Sequence, residues 1–452
     1  MNRKFFCFIL PAFFIFSLGA ARAQSFSGDA RKIGMGGIGD SSNITSRMIE
    51  DENKYRSFVI PLGLFQVLKN FNRFDSASDA FDPILAIESI ANPIHFTFNR
   101  DAGGPRGKFV SDIVEGKISE DLNDYSGFNP VNRLKTEGLA NPNWGKTFKF
   151  RRRPDGAFQG FYIGAGPYIS AMTDLKIDNN LTEIFGSSTH IVIPNELLRI
   201  ENNSGAQLAL AITGGYRARF SLPWDTGNGN SERNGIYAGL NYNYLRGFRY
   251  EDFAIDLRFN TDVFGMVDFN QASDPVVIDY TSGRRGQGYA IDLGIGIVVE
   301  RWEFGFAANG VGNRINWEDF TRKQWRLANW EEDGDGEFVE EIIHSGESKL
   351  KIKLPVEYIG NAAYNIENWT FAVEISNGLQ GTGFHGGAEY RLGMFDLRGG
   401  LRYRQERWRP SGGVGLNLSK RLSVDAAFFG TATNIEKKLK PAIALSLRLK
   451  HT

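Results

Sequence analysis

Strict alternation of apolar and polar residues runs through the second half of this chain, roughly 205–450, and it leaves few folds open. Leu208, Leu210, Ile212, Gly214, Tyr216, Ala218 and Phe220 alternate with Gln207, Ala209, Ala211, Thr213, Gly215, Arg217 and Arg219. The same rhythm returns in Ile291–Val299, in Leu397–Tyr403 and in Ile443–Leu449. Successive side chains of a strand point to opposite faces, so each segment has one greasy face and one wet face. Many such segments, each about ten residues long and separated by turns, are the pattern of a transmembrane β-barrel.

The turns have a rhythm too. Short ones are expected near Glu300-Arg301, Ile366–Asn368, Gly393-Met394 and Ser419-Lys420. Longer ones are expected at 222–234, 271–286, 313–347, 378–383, 405–411 and 431–440. Outer-membrane barrels carry short periplasmic turns and long extracellular loops. The predicted fold is therefore all-β: a transmembrane antiparallel outer-membrane β-barrel of about 14 strands, or about 16 if Ser57–Leu68 and Ile94–Phe98 join the wall.

Composition excludes several classes. Lys+Arg and Asp+Glu are 52 each, which gives no electrostatic case for nucleic acid. The mean hydropathy of −0.30 is too polar for a helical membrane protein, whereas a barrel needs only every second residue to be apolar. The one cysteine, Cys7, lies in a segment read as an export signal: Arg3 and Lys4, an apolar run from Phe5 to Leu18, then Ala21-Arg22-Ala23. Cleavage after Ala23 is expected. The organisation read from the sequence is a signal peptide over 1–23, a hatch over 24–55, a plug, periplasmic or first-strand region over 56–157, and the barrel over 158–452. No cofactor is called for.

Residues Asp29-Ala30-Arg31-Lys32-Ile33-Gly34-Met35-Gly36-Gly37 have neither helical nor strand periodicity, and their glycines suit a backbone that passes close to something. This stretch, directly after a leader, resembles the mature N-terminus of the long-chain fatty-acid transporter (FadL-type) superfamily, with its PorV- and TraF-type relatives. Gly286–Gly294 followed by Trp302–Asn309 is similar to paired strands of that group. The resemblance implies a hatch folded into the lumen, with Gly34, Met35, Gly36 and Gly37 as its core.

The inward parity collects charges of mixed sign, and the lumen candidates are Arg217, Arg219, Asp292, Glu374, Glu389, Arg398, Arg402 and Arg404. They suit either a salt-bridge network holding the hatch or a polar conduit. Arg398, Arg402 and Arg404 form the densest positive group, which would favour anions. Trp317, Phe320, Trp325 and Trp330 fall in the longest predicted loop. Exposed tryptophans there either pack onto the rim or form a ligand-entry groove, and the family resemblance implies the groove. Asp333, Asp335 and Glu337 are two apart like the start of a calcium loop, but Phe338 stands where the turn glycine is needed, so no metal site is assigned. His385 and Glu389 with Ser376 are the nearest thing to a catalytic set, and no catalytic motif supports them, so no enzyme is expected.

These readings lead to passive uptake of a small hydrophobic or amphipathic molecule across an outer membrane. The alternative is a plugged barrel acting as anchor or shuttle of a secretion or envelope system. Expected partners are membrane lipid and lipopolysaccharide, a hydrophobic small molecule, and in the alternative an envelope protein.

Overall fold

Strands with one apolar face become a wall between two media, and here one wall accounts for most of the chain. The structure, a computed structural model, describes residues 29–38, 44–51, 55–69, 95–98, 104–109, 122–141, 144–154, 156–186, 194–222, 233–264, 267–268, 276–329, 337–346, 349–378, 381–404, 407–431, 434 and 436–450. The predicted leader lies outside these residues.

Helix α1 (Ala30–Gly34) and helix α2 (Ile44–Asp51) come first. Strand β1 (Tyr55–Ile60), helix α3 (Leu62–Lys69) and strand β2 (Phe96–Thr97) follow, then β3 (Arg133–Ala140), β4 (Trp144–Arg152) and β5 (Phe158–Ile177). Helix α4 (Asn179–Gly186) precedes β6 (Leu197–Phe220), β7 (Gly235–Thr261), β8 (Val267–Asp268), β9 (Val276–Val299), β10 (Trp302–Asn329), β11 (Glu337–Gly346) and β12 (Leu350–Ile352). The last seven are β13 (Glu357–Ile366), β14 (Trp369–Gly378), β15 (Gly381–Leu392), β16 (Phe395–Arg404), β17 (Arg407–Asn417), β18 (Leu422–Thr431) and β19 (Lys440–Lys450).

Every pairing is antiparallel, and the ladder runs β5–β6–β7–β9–β10–β13 and on through β14 to β19. At one end β3 and β4 pair with successive parts of β5, so they form one track. At the other end β1 and β2 pair with successive parts of β19: Ile60 faces Leu445 and Phe96 faces Ile443. Among the described residues no ladder joins the first track to the second.

The two halves of the wall differ in height. A tilted membrane strand needs about 9–11 residues. Strands β13 to β19 have 10–12, while β5, β6, β7, β9 and β10 have 20, 24, 27, 24 and 28. The long strands stand well beyond the membrane at the end opposite the turn Glu300-Arg301. A small core sits at that end, where Phe109, Leu122, Tyr125 and Phe128 pack on α4 and the tips of β5 to β7.

Three expectations are corrected. The predicted loops 271–286 and 313–347 are largely strand, because β9, β10 and β11 continue as an extramembrane sheet with the same period-two pattern. Pro61 ends the strand expected at Ser57–Leu68, and the rest of it is α3; proline cannot extend the ladder but suits the approach to a helix. The long connection 222–234 lies at the same end as Glu300-Arg301, so loop length alone placed it on the wrong side. Leu122–Tyr125 and β3, within the region read as plug, periplasmic or first-strand material, lie in the distal wall and its cap.

Outward-facing positions are apolar. Along β14, Trp369, Phe371, Val373 and Ile375 are exposed, while Ala372, Glu374 and Ser376 are buried. Trp302 lies 4.5 Å from Tyr364 and Trp369 4.6 Å from Tyr390, ring to ring, an aromatic belt at the short-turn end. Phe384, Tyr403 and Trp408 form its counterpart at the other.

Candidate functional site

The N-terminal segment lies on the inner face of the wall. Asp29 caps α1 by accepting from the Arg31 amide at 3.0 Å. Gly36 and Gly37, both at φ +80°, end the helix, and the Gly37 amide donates to Lys32 O at 2.8 Å. The backbone then lies flat on β15 and β16. A Cβ on Gly387 would sit 2.3 Å from Met35 O, and one on Gly400 2.1 Å from Gly36 N. Gly34 and Gly36 lie against the backbone of the wall, which meets them with glycines of its own.

Hydrogen bonds fix the N-terminal segment. The Gly36 amide donates to Ser411 Oγ at 3.1 Å, the Ala30 amide to Ser446 Oγ at 3.2 Å, and His385 Nδ1 to Gly36 O at 2.9 Å. Arg31 makes a two-pronged pair with Glu389, at 2.9 and 3.2 Å. Glu389 also holds Arg398 at 2.8 Å. Arg398 reaches Asp425 at 2.7 Å and Asp396 at 3.1 Å, and Arg448 bridges the same two aspartates. Unpaired buried charges are costly, and this cluster pairs each of its carboxylates with arginine. Across the lumen, α2 rests on β7, β9 and β10: Ile44, Met48 and Ile49 pack with Tyr237 and Val298, Thr45 Oγ1 donates to Ile295 O at 3.3 Å, and Ser46 lies 3.3 Å from Asn361.

The lumen candidates therefore separate by role. Glu389 and Arg398 belong to the ion-pair cluster that ties Arg31 to the wall. Arg217 donates to Asn241 at 2.7 Å and Arg219 to Asn234 O at 3.0 Å, so both brace the short-turn rim. Glu374, Arg402 and Arg404 lie toward the opposite mouth. Asp292 accepts from Asn243 at 2.8 Å and from the Gly310 amide at 3.0 Å, and so anchors a break in the wall. His385 and Glu389, considered as a dyad, are committed separately to Gly36 and to arginines.

That break lies in β10. Two register shifts against β9 fall between Ala308 and Arg314, where Gly310 and Gly312 adopt φ +72° and +63°. On its other side β10 pairs with β13 up to Asn309–Glu357 and resumes on β12 at Ile315–Ile352. Between them, among the described residues, the Asn313 side chain makes the link. It donates to Leu354 O at 2.9 Å and accepts from the Leu354 amide at 2.7 Å. Paired bulges with left-handed glycines bend a strand away from its neighbour.

An apolar cavity of about 900 Å³ lies on the membrane side of the wall below this break. Its lining follows two outward rungs of the ladder: Ile297, Phe304, Ala362, Val373, Gly386 and Leu401, then Ile295, Phe306, Gly360, Ile375, Phe384 and Trp408. The floor is Gly360, Ala362 and Gly386. The inward rung between those two carries Gly296, Asn361 and His385, the positions that meet Thr45, Ser46 and Gly36.

The tryptophan reading needs correction. Trp317 is in β10, wholly buried at 0% exposure against Leu245, Tyr250 and Ile315. Phe320 and Trp325 lie further along the same strand, and Trp325 Nε1 donates to Glu340 at 3.2 Å. Trp330, Asp333 and Asp335 lie outside the described residues, and Glu337 begins β11. Sequence reasoning missed Ser411, Ser446 and Asn313, single polar residues that nothing in the local pattern distinguishes. Arg31 stood in the quoted motif without a role.

No family model and no curated protein matches the chain. Among solved structures, it is similar to the toluene transporter TbuX of Ralstonia pickettii, with 12% identity, 82% of this chain and 98% of that one covered, and a TM-score of 0.32. It is also similar to the toluene transporter TodX of Pseudomonas putida, with 10% identity, 71% and 88% covered, and a TM-score of 0.32. A third likeness is to outer membrane phospholipase A of Escherichia coli, with 10% identity, 53% and 84% covered, and a TM-score of 0.23.

Proposed function

We propose that this chain is an outer-membrane barrel for passive uptake of a small hydrophobic or amphipathic molecule, which leaves the lumen sideways into the membrane. The observation that carries this reading is the break in β10 above a 900 Å³ apolar cavity on the membrane side of the wall. A barrel exposes no backbone edge to lipid without a reason, because unpaired backbone polar groups are costly there. The N-terminal segment lies against the inner face of the wall toward the short turns, and a route through the wall beside it suits an apolar cargo. The tall half-wall would face lipopolysaccharide.

The test is accumulation of radiolabelled naphthalene and octanoate by cells with and without the chain. Faster entry of either supports uptake; rates equal to the control contradict it. The alternative, a plugged anchor or shuttle for an envelope protein, draws on the ion-pair cluster, whose several charged bonds suit a hatch that stays closed. A defined envelope protein co-purifying with a silent barrel would favour it.

A further inference from the structure

One sector of the wall carries charge that the N-terminal segment, the break and the apolar cavity leave unused. Between Gly138 and Thr173 the sequence holds five cations, Lys146, Lys149, Arg151, Arg152 and Arg153, and one acid, Asp155. The cations lie on β4 and at the start of the turn that joins it to β5. This is the short-turn end, where Arg152 faces Phe158 and Phe158 faces Arg219. At two other short turns the cation has an acid beside it: Arg233 pairs with Glu303 at 2.8 Å and Arg391 with Glu389 at 3.4 Å. Lys149 lies 3.9 Å from the centre of the Phe158 ring. Lys146, Arg151, Arg152 and Arg153 are exposed, and none of the four has an ion pair among the described residues.

A β-bulge decides which way this sector points. Phe148 faces Phe161 and Lys149 faces Gly160, but Arg151 faces Gln159, so Phe150 is the extra residue. Strict alternation would turn Arg151 inward with Lys149. The bulge returns it to the outer face, beside Phe148, Phe150 and Phe161. These three rings are each more than half exposed, and Phe150 lies 5.1 Å from Phe161, ring to ring. Lys146 Nζ, further from the turn, lies 5.8 Å from the centre of the Phe148 ring. Apolar rings on the membrane side, with guanidinium groups next to them toward the turn, match the two parts of a lipid: acyl chains and an anionic head.

We propose that Arg151 and Arg153, with Phe148, Phe150 and Phe161, bind an anionic glycerophospholipid on the outside of the wall. Short turns face the periplasm in outer-membrane barrels. The leaflet on that side is built of glycerophospholipid, whereas lipopolysaccharide occupies the other. Guanidinium groups donate to phosphate oxygens in a fork, and the rings lie along the glycerol and the first methylenes of the chains. A head without a cation of its own is preferred, because the ammonium of a zwitterionic head competes for the same phosphate. The bound lipid holds the β4–β5 hairpin, at one end of the ladder, against the bilayer. Nothing in this site depends on what the lumen carries, so it stands or falls apart from the uptake reading.

The experiment titrates the purified full chain in a neutral detergent and counts bound lipids by native mass spectrometry. The probes are dioleoyl phosphatidylglycerol, dioleoyl phosphatidylcholine with the same chains, glycerol phosphate as the head alone, and lipid A from the other leaflet. Phosphatidylglycerol should bind saturably and tighter than the other three. A basic residue near an anionic lipid surface is worth about fivefold in affinity. Arg151→Gln should therefore weaken phosphatidylglycerol about fivefold, and Arg151→Gln/Arg153→Gln about 25-fold, toward the value for phosphatidylcholine. Arg301→Gln removes an exposed cation at another short turn and should change it by less than about twofold. The heat-dependent gel shift of a folded barrel shows that each variant has folded. Equal affinity for phosphatidylglycerol and phosphatidylcholine overturns the proposal, as does a folded double variant within about twofold of the parent. So does an Arg301→Gln loss as large as that of Arg151→Gln. Tighter binding of lipid A, or displacement of phosphatidylglycerol by glycerol phosphate at equal concentration, overturns it too, in favour of the other leaflet or of a free phosphate.

Discussion

Arg31 of the hatch and Glu389 of β15 form a two-pronged ion pair at 2.9 and 3.2 Å. It joins the N-terminal segment to a buried network in the wall. Arg31→Gln removes the hatch's share, while Glu389 keeps Arg398. The loss is about 1.5–3 kcal/mol for a charged hydrogen-bonded pair. Planar-bilayer recordings should then show brief openings absent from the parent.

Gly400→Val tests contact rather than charge. A Cβ at this position falls 2.1 Å from Gly36 N, and a strand of the wall accepts valine readily. The barrel should fold, with an unchanged heat-dependent gel shift, while the hatch is displaced. The expected result is a larger rise in conductance than Arg31→Gln produces.

Trp317→Ala separates packing from ligand capture. The side chain is fully buried among Leu245, Tyr250 and Ile315. Its truncation should cost about 3–5 kcal/mol of the extramembrane sheet, as core aromatic truncations do. Urea-dependent proteolysis of β9 to β11 should move to lower urea, with naphthalene uptake unchanged.

Acid should loosen the tall wall before the membrane portion. The Arg133 guanidinium bonded to Asp174 holds its carboxyl below the ordinary range, and Arg199 does the same for Asp256. A carboxyl lowered by folding contributes stability that is present above its unfolded pKa and is lost as pH falls through the folded one. Proteolysis of the distal β5–β7 sheet should therefore quicken below about pH 4, the ordinary aspartate value. Circular dichroism of the membrane strands should hold at the same pH.

The wall was legible because its physics is periodic. Leu208 to Phe220 can satisfy lipid and lumen only as a strand, and the structure builds one. Gly36 and Gly37 were legible as special positions because they form a left-handed turn, which few other residues permit. Trp317 was misplaced because a strand that continues beyond the membrane loses the lipid-facing signal and reads as a long polar loop. Connection 222–234 was misplaced because length carries no sign of side. Asn313, Ser411 and Ser446 were invisible: each acts through a backbone group from a distant part of the chain, a relation that only the folded register creates.

The most direct test of the uptake route is a reversible lock on the break in β10. Asn313 and Leu354 are joined there by the asparagine side chain, and the chain's one natural cysteine, Cys7, lies in the segment read as a leader. In the double variant Asn313→Cys/Leu354→Cys, oxidation should abolish chain-dependent naphthalene accumulation and reduction should restore it. Equal accumulation in the oxidised and reduced proteins, with the disulfide verified, would contradict a lateral route through this wall.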